Sequence, residues 1–142
     1  MSNPEESTRT VMIERVFAHP PEKVWRALTE NPLIAQWLMK SDFEPVIGRK
    51  FQFRSDPVPN WDGIIDCEVL IVDDLKRLSY SWGTFGHESV VLWTLSPAKG
   101  GTHVRMEHSG FRPDQKAAYQ GAKYGWQKFF DGLERVLGGG VG

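Results

Sequence analysis

The chain has 142 residues with 18 acidic and 17 basic side chains, which leaves a net charge of −1. This length suits one domain with a sizeable core, and the balanced charge argues against a nucleic-acid-binding or membrane-surface protein. The single cysteine, Cys67, excludes an intramolecular disulfide, in keeping with the cytoplasmic location that we expect.

The N-terminal third of the chain predicts a strand followed by two short helices. Residues 1–9 are polar and are expected to form a flexible tail. Residues 10–17 alternate as a strand, and the prolines after His19 favour the first turn of a helix. Asn31 and the proline that follows it start a second helix. A single domain is therefore expected over residues 10–138, with a glycine-rich tail at 139–142.

The middle of the chain predicts about six strands, because apolar and polar residues alternate there in short runs. The expected strands are residues 43–46, 50–54, 64–72, 77–82, 89–95 and 102–108. Loops are expected at 55–63 and 83–87, where Gly, Pro, Asn and Asp cluster. Strict alternation gives each strand one wet and one buried face, which is typical of an antiparallel sheet.

Residues 114–137 predict one long helix that covers this sheet. Its apolar face is formed by Ala118, Ala122, Gly125, Trp126, Phe129, Leu133, Val136 and Leu137. The small residues Gly121, Ala122 and Gly125 leave room on that face. We therefore predict an α+β helix-grip fold: a curved antiparallel sheet of six or seven strands around a C-terminal helix, with two short helices after the first strand.

The space between the sheet and the long helix is the expected ligand site. From the sheet, it would be lined by Phe53, Tyr80, Trp82, Val91, Trp93, Met106 and His108. From the helix, it would be lined by Ala122, Gly125, Trp126 and Phe129. Two loop aromatics, Trp61 and Phe85, either gate this space or cap the edge of the sheet. We include Trp61 among the ligand-binding residues.

Several segments, taken in order, carry a family resemblance. They are residues 15–28 (RVFAHPPEKVWRAL), 34–37 (IAQW), 91–95 (VLWTL), 100–102 (GGT), 108–111 (HSGF) and 125–126 (GW). Together they resemble the activator of Hsp-90 ATPase homologue-like family of the START-related (SRPBCC) superfamily. The resemblance spans residues 11–137 and implies the birch-pollen-allergen fold. Small stand-alone members resemble binders of hydrophobic molecules, whereas the family name comes from a co-chaperone domain.

The sequence carries no arrangement of residues typical of a metal or cofactor site, and we expect neither. His103 and His108 have opposite strand parity, and Cys67 lacks a second ligand at metal-site spacing. Cys67 is interpreted as a small buried hydrophobe rather than a nucleophile.

Two polar residues keep two interpretations each. In the functional interpretation, His108 contacts a ligand or acts as an acid–base group. In the structural interpretation, it is hydrogen-bonded to a neighbouring backbone group or carboxylate, and the usual pairing of buried polar groups favours this one. Arg15 has the parity of a buried residue, but a bulge or an edge position would place it in solvent.

These patterns favour a protein that binds an aromatic, lipid-like or polyketide-like molecule without transforming it. One alternative is a cyclase- or hydrolase-type enzyme using His108, and another is a co-chaperone-like activator of an Hsp-90 ATPase. The expected partner is a hydrophobic small molecule, with no nucleic acid and no membrane insertion. A homodimer contact through Leu70 and Leu92 stays open.

Overall fold

The computed structural model describes residues 9–84 and 86–139. The strands are β1 (Arg9–Phe17), β2 (Lys40–Ser41), β3 (Lys50–Arg54), β4 (Ile64–Asp73), β5 (Arg77–Thr84), β6 (His87–Ala98) and β7 (Gly101–Phe111). The helices are α1 (Pro21–Thr29), α2 (Asn31–Trp37) and α3 (Lys116–Gly139). Apart from Arg9 and Gly139, the two predicted tails lie outside the described residues, and so does Phe85.

The seven strands form one antiparallel sheet in the order β1-β7-β6-β5-β4-β3-β2. Neighbours in sequence pair along the meander from β2 to β7, and β1 closes the other side by pairing with β7. Alternate residues of β6 and β7 are buried, whereas β5 is buried at five consecutive residues, 78–82. The predicted α+β helix-grip architecture is confirmed.

Helices α1 and α2 close one end of the sheet. Pro20 precedes α1 with an extended backbone, and Pro21 occupies its first turn, where a missing N–H has no cost. The indole N–H of Trp37 donates to the carbonyl of Ala27 at 2.8 Å, which ties α2 to α1. The two helices thus form a V whose buried residues complete the core at that end.

Helix α3 divides into two unlike halves. Its buried residues are Trp126, Phe130, Gly132, Leu133 and Leu137, the first of which comes after ten residues that are not buried. At Gly132 an added Cβ would lie 3.4 Å from Cβ of Trp37, so glycine permits α2 and α3 to approach closely. None of the first ten residues of α3 is fully buried. The N-terminal half of α3 therefore leaves space between itself and the sheet.

Aromatic side chains dominate the core between the sheet and α3. The ring centroids of Trp82 and Trp93 lie 5.4 and 5.7 Å from that of Trp126. Trp93 also stacks on Phe130 at 5.6 Å and donates its indole N–H to the hydroxyl of Tyr80 at 3.0 Å. Burial raises the pKa of Tyr80 well above its ordinary value, so the phenol stays protonated.

Four details differ from the sequence prediction. The strand predicted at 43–46 is wrong, since β2 consists of Lys40–Ser41. Directly after β2, the Asp42 carboxylate accepts the backbone N–H of Gln52 at 2.8 Å, and this side-chain contact ends the backbone pairing of β2 with β3. Residues 113–115 form a 3₁₀ turn, so α3 starts later than predicted. The helix also continues past residue 137 to Gly139. The loop predicted at 83–87 is shorter, since β5 includes Thr84 and β6 begins at His87.

Within residues 9–84 and 86–139, no helix is both long and apolar enough to cross a membrane.

Candidate ligand-binding site

A cavity of about 350 Å³ lies between the ends of β5, β6 and β7 and the N-terminal half of α3. Its walls are formed by Trp82, Thr84, His87, Ser89, His108, Phe111, Gln115, Ala118, Gly121 and Ala122. The surface that they present is mostly apolar. This volume falls in the range of small-molecule sites in proteins.

Small residues on α3 keep this space open. Ala118, Gly121 and Ala122 follow the three- and four-residue spacing of one helix face. A Cβ added at Gly121 would meet nothing within 4 Å, so the glycine is not required by close packing. Larger side chains here would reach the sheet, as Trp126 and Phe130 do further along the helix.

The floor of the cavity depends on a bend at the end of β7. His108 points inward like Met106 and Val104, but the strand then reaches Gly110, whose φ is +104°. Residues other than glycine rarely adopt a backbone conformation with such a positive φ. The bend turns Phe111 inward, where its ring centroid lies 4.7 Å from that of His108. Phe111 thereby becomes an apolar wall of the site.

His108 is held by hydrogen bonds at both ring nitrogens. The indole N–H of Trp126 donates to Nδ1 at 2.9 Å, and Nε2 lies 2.6 Å from Oγ of Ser89. Because an indole nitrogen can only donate, Nδ1 is the acceptor and the ring proton is on Nε2. Nε2–H therefore donates to Ser89, whose own hydroxyl donates to the carbonyl of Trp82 at 3.2 Å.

The same arrangement keeps His108 neutral. Burial lowers the pKa of His108 to about 3. A proton added at Nδ1 would also point at the N–H of Trp126 and abolish that hydrogen bond. Both effects oppose the imidazolium form.

The contact between Ser89 and His108 resembles a nucleophile–base pair in distance but not in protonation. A histidine that activates a serine must accept the hydroxyl proton at its unprotonated nitrogen. Here that nitrogen, Nδ1, faces Trp126, and Nε2 already carries the proton. The hydroxyl of Ser89 is also committed to a backbone carbonyl. This geometry positions side chains and does not activate a nucleophile.

Of the residues predicted to bind a ligand, Trp82, His108 and Ala122 line the cavity. Six others lie in the packed core and are buried: Phe53, Tyr80, Val91, Trp93, Met106 and Trp126. Trp126 nonetheless supports the cavity wall through His108. The His108 partners are side chains, rather than the backbone or carboxylate considered from the sequence.

The remaining predicted site residues, Phe129, Gly125 and Trp61, are not among the residues that line the cavity. Phe129 is partly buried against Trp126, with ring centroids 5.4 Å apart. Gly125 faces open space, since an added Cβ would meet nothing within 4 Å. The indole N–H of Trp61 donates to Oγ1 of Thr84 at 2.9 Å, so this loop is fastened to a cavity-lining residue.

The predicted site left out seven lining residues: Thr84, His87, Ser89, Phe111, Gln115, Ala118 and Gly121, although the last two were already assigned to the long helix. His87 and Ser89 share the inward parity of Val91 and could have been found if β6 had been extended toward its start. Phe111 could not be found from parity, because the bend at Gly110 interrupts the alternation.

Arg15 does not line the cavity. Its guanidinium lies 2.8 Å from the carboxylate of Asp131 and 3.2 Å from that of Glu134, both on α3. It also lies over the ring of Phe130, 5.5 Å from its centroid. The side chain is partly buried and fastens β1 to the C-terminal half of the helix.

Cys67 is buried on the inner face of β4, and its thiol contacts the carbonyl of Ile65 at 3.7 Å. Burial, followed by the nearby Asp66 carboxylate, raises the pKa of the thiol far above its ordinary value. The thiolate required of a nucleophile is therefore suppressed.

Three larger grooves lie outside the space beneath α3, at about 540, 410 and 380 Å³. Carboxylates from Asp66 and Glu88 border the first two of them. All three are more open and more polar than the cavity, so they offer an apolar molecule little burial.

In the described part of the chain, no three His, Cys, Asp or Glu side chains are grouped closely enough to hold a metal ion.

Comparison with known proteins gives both a family and close structural relatives. The family model described as Activator of Hsp90 ATPase homolog 1-like protein matches residues 18–138. The crystal structure of MLL2253 from Mesorhizobium loti is 52% identical, with a TM-score of 0.87 over 93% of this chain and 98% of that one. A search of curated protein sequences finds no match.

More distant structures share the fold. DynU16, a protein of the dynemicin biosynthetic locus, is 26% identical, with a TM-score of 0.76 over 90% of this chain and 46% of its own. BH1534 from Bacillus halodurans is 24% identical, with a TM-score of 0.78 over 91% of this chain and 96% of that one. The match over residues 18–138, the helix-grip fold and the 52% identical structure together show that this chain belongs to the Activator of Hsp90 ATPase homolog 1-like family.

Proposed function

We propose that this protein binds an apolar small molecule in the cavity beneath the N-terminal half of α3 and releases it unchanged. The observation that carries the proposal is the cavity itself: about 350 Å³ of mostly apolar space beside a core that is otherwise closely packed. An open apolar space forfeits packing contacts, which a bound apolar molecule would restore.

The cavity walls favour a flat or aromatic ligand. Trp82 and Phe111 present ring surfaces, and Ala118 and Ala122 leave a smooth opposing surface on the helix. Aromatic rings pack favourably against such walls by offset or edge-to-face contacts. The notion of a lipid-like or polyketide-like ligand rests on this apolar character.

The state of His108 supports binding rather than catalysis. Both of its nitrogens are engaged by protein groups, and burial disfavours its charged form. A general base needs an accessible unprotonated nitrogen and a pKa near the working pH. His108 has neither.

Two alternatives remain distinguishable by experiment. The Ser89–His108 distance of 2.6 Å favours a hydrolase- or cyclase-type enzyme if ligand binding were to break the bond from Trp126 and the ring proton moved to Nδ1, which would let Nε2 accept from Ser89. The family description favours a chaperone activator acting through its surface. A relative from a biosynthetic locus, DynU16, favours a role with small molecules.

Mass spectrometry of small molecules released from the purified protein tests the proposal. We expect an apolar compound at a fixed stoichiometry, recovered chemically unchanged after prolonged incubation. Conversion that is lost in His108→Ala would establish the enzyme instead. Stimulation of a chaperone ATPase, with no compound bound, would establish the surface-acting protein.

A further inference from the structure

The polar groups around the cavity are unequally satisfied. Ser89 and His108 use their hydrogen-bonding atoms on each other, on Trp82 and on Trp126. Thr84 accepts from the indole of Trp61 at 2.9 Å and lies 3.4 Å from the carbonyl of Ile64. These three lining residues have little capacity left for a ligand.

His87 is different. Its Nε2 is shielded from solvent and has no hydrogen-bond partner among the described residues. The ring lies beside Phe111, with centroids 6.1 Å apart, and forms part of the cavity wall. A buried polar atom without a partner costs about 1–3 kcal/mol, so native proteins rarely leave one. A rotation about its Cβ–Cγ bond would turn a ring nitrogen toward a bound molecule.

Gln115 supplies a second free polar group. Its side-chain oxygen accepts the backbone N–H of Arg112 at 2.8 Å, which assigns the NH₂ group to the other side of the amide. That NH₂ has no protein acceptor among the described residues and can only donate. The imidazole of His87 can donate from either nitrogen, because no hydrogen bond from a described residue fixes its tautomer. An oxygen acceptor on the ligand can be served by both residues.

The charge of the site narrows the ligand further. No Lys, Arg, Asp or Glu occurs among the described residues that line the cavity. A buried carboxylate or ammonium without a paired charge is strongly disfavoured. With the imidazoles of His87 and His108 neutral, the site therefore suits a neutral oxygen, such as a ketone or ester carbonyl, rather than an acid.

We infer that His87 is the polar anchor of the cavity and that the ligand is a flat apolar molecule with a neutral carbonyl oxygen, which accepts a hydrogen bond from the imidazole. This inference rests on the proposed function, because it concerns the same cavity. In this arrangement, His87 orients the ligand and Gln115 is the second donor, whereas His108 has a structural role in the cavity wall.

Three naphthalene probes of similar shape test the inference by isothermal titration calorimetry. 2-Acetylnaphthalene carries the carbonyl, 2-isopropenylnaphthalene replaces its oxygen by CH₂, and 2-naphthoate carries a charge. The ratio of affinities for the ketone and the hydrocarbon isolates the oxygen contact. We expect His87→Phe to lower this ratio about tenfold, the size of one good hydrogen bond. The naphthoate should bind at least about tenfold more weakly than the ketone.

Two variants control for structure. His103→Phe makes the same change on the outer face of β7, where His103 pairs with Glu14 at 2.9 Å, and should leave the ratio unchanged. His87→Gln keeps a donor and should retain part of the preference, with a thermal melt confirming that each variant folds. An unchanged ratio in His87→Phe, or tightest binding by naphthoate, would overturn the anchor while leaving the binding function intact. Saturable binding by none of the probes would overturn both.

Discussion

The indole N–H of Trp126 donates to Nδ1 of His108 at 2.9 Å, and this bond joins α3 to β7 behind the cavity. It fixes the imidazole tautomer, and through Nε2 it also orients Ser89. One hydrogen bond thus decides that the nearby serine is a structural group.

Nitrogen-15 NMR should show His108 as the neutral Nε2–H tautomer near neutral pH. The reason is that Trp126 can only donate to Nδ1. Trp126→Phe removes this donor and should let the tautomer populations mix. A signal for the Nδ1–H tautomer in the unaltered protein would contradict the hydrogen-bond assignment.

Trp126→Ala should lower the free energy of unfolding by about 3–5 kcal/mol, because the side chain is 2% exposed and packs among other rings. Tyr124→Ala is the matched control, since Tyr124 lies on the same helix and is 66% exposed. It should cost less than about 1 kcal/mol. Denaturant unfolding measures both, and equal effects would mean that the inner face of α3 is misassigned.

The free energy of unfolding should fall as the pH drops from 6.5 toward 3. The pKa of His108 is lowered from 6.5 to about 3 by burial, so the unfolded chain takes up a proton that the folded chain refuses. Stability is therefore fully present above pH 6.5 and is lost through this window, by up to about 1.4 kcal/mol per pH unit.

The interval between pH 5 and 6.5 is the most informative part of this window, because most carboxylates titrate below it. Denaturant unfolding at several pH values should give a shallower slope there for His108→Gln than for the unaltered protein. Identical slopes would show that His108 does not resist protonation in the folded state.

Arg15→Met should destabilise the fold by about 1 kcal/mol, with a smaller effect at high salt, because two carboxylates and the ring of Phe130 contact the guanidinium. Arg49→Met provides the comparison: its pair with Glu44 is about half exposed on both sides and should contribute less than about 0.5 kcal/mol. A larger effect at Arg49 would contradict the partly buried position of the Arg15 side chain.

The sequence predicted the fold well because alternation in the strands and the spacing on the long helix are both set by burial. Trp82, Trp93 and Trp126 were correctly placed inside. The choice between Phe129 and Phe130 was wrong for the core: the more deeply buried residue is Phe130, which follows Trp126 by four positions. Neighbouring residues on a helix differ by only about 100° in direction, so pattern alone separates them poorly.

The candidate site was harder to predict, because its position depends on where the side chains of α3 stop packing against the sheet. Phe53, Tyr80 and Trp93 have the same apolar character as Trp82, and only the path of α3 decides that Trp82 meets open space. The partners of His108 likewise come from β6 and α3, far apart in sequence. No local pattern reports such contacts.

Filling the cavity tests the central claim most directly. Ala122 lines the cavity and is partly buried, whereas Ala117 is exposed on the same helix and lies outside the lining. The test is a calorimetric titration of 2-acetylnaphthalene into the unaltered protein, Ala122→Phe and Ala117→Phe, with thermal melts to confirm that each variant folds. Ala122→Phe should weaken binding at least about tenfold, because its ring would occupy the ligand's place, while Ala117→Phe should change affinity less than about twofold. Equal affinities in all three proteins would contradict binding in this cavity.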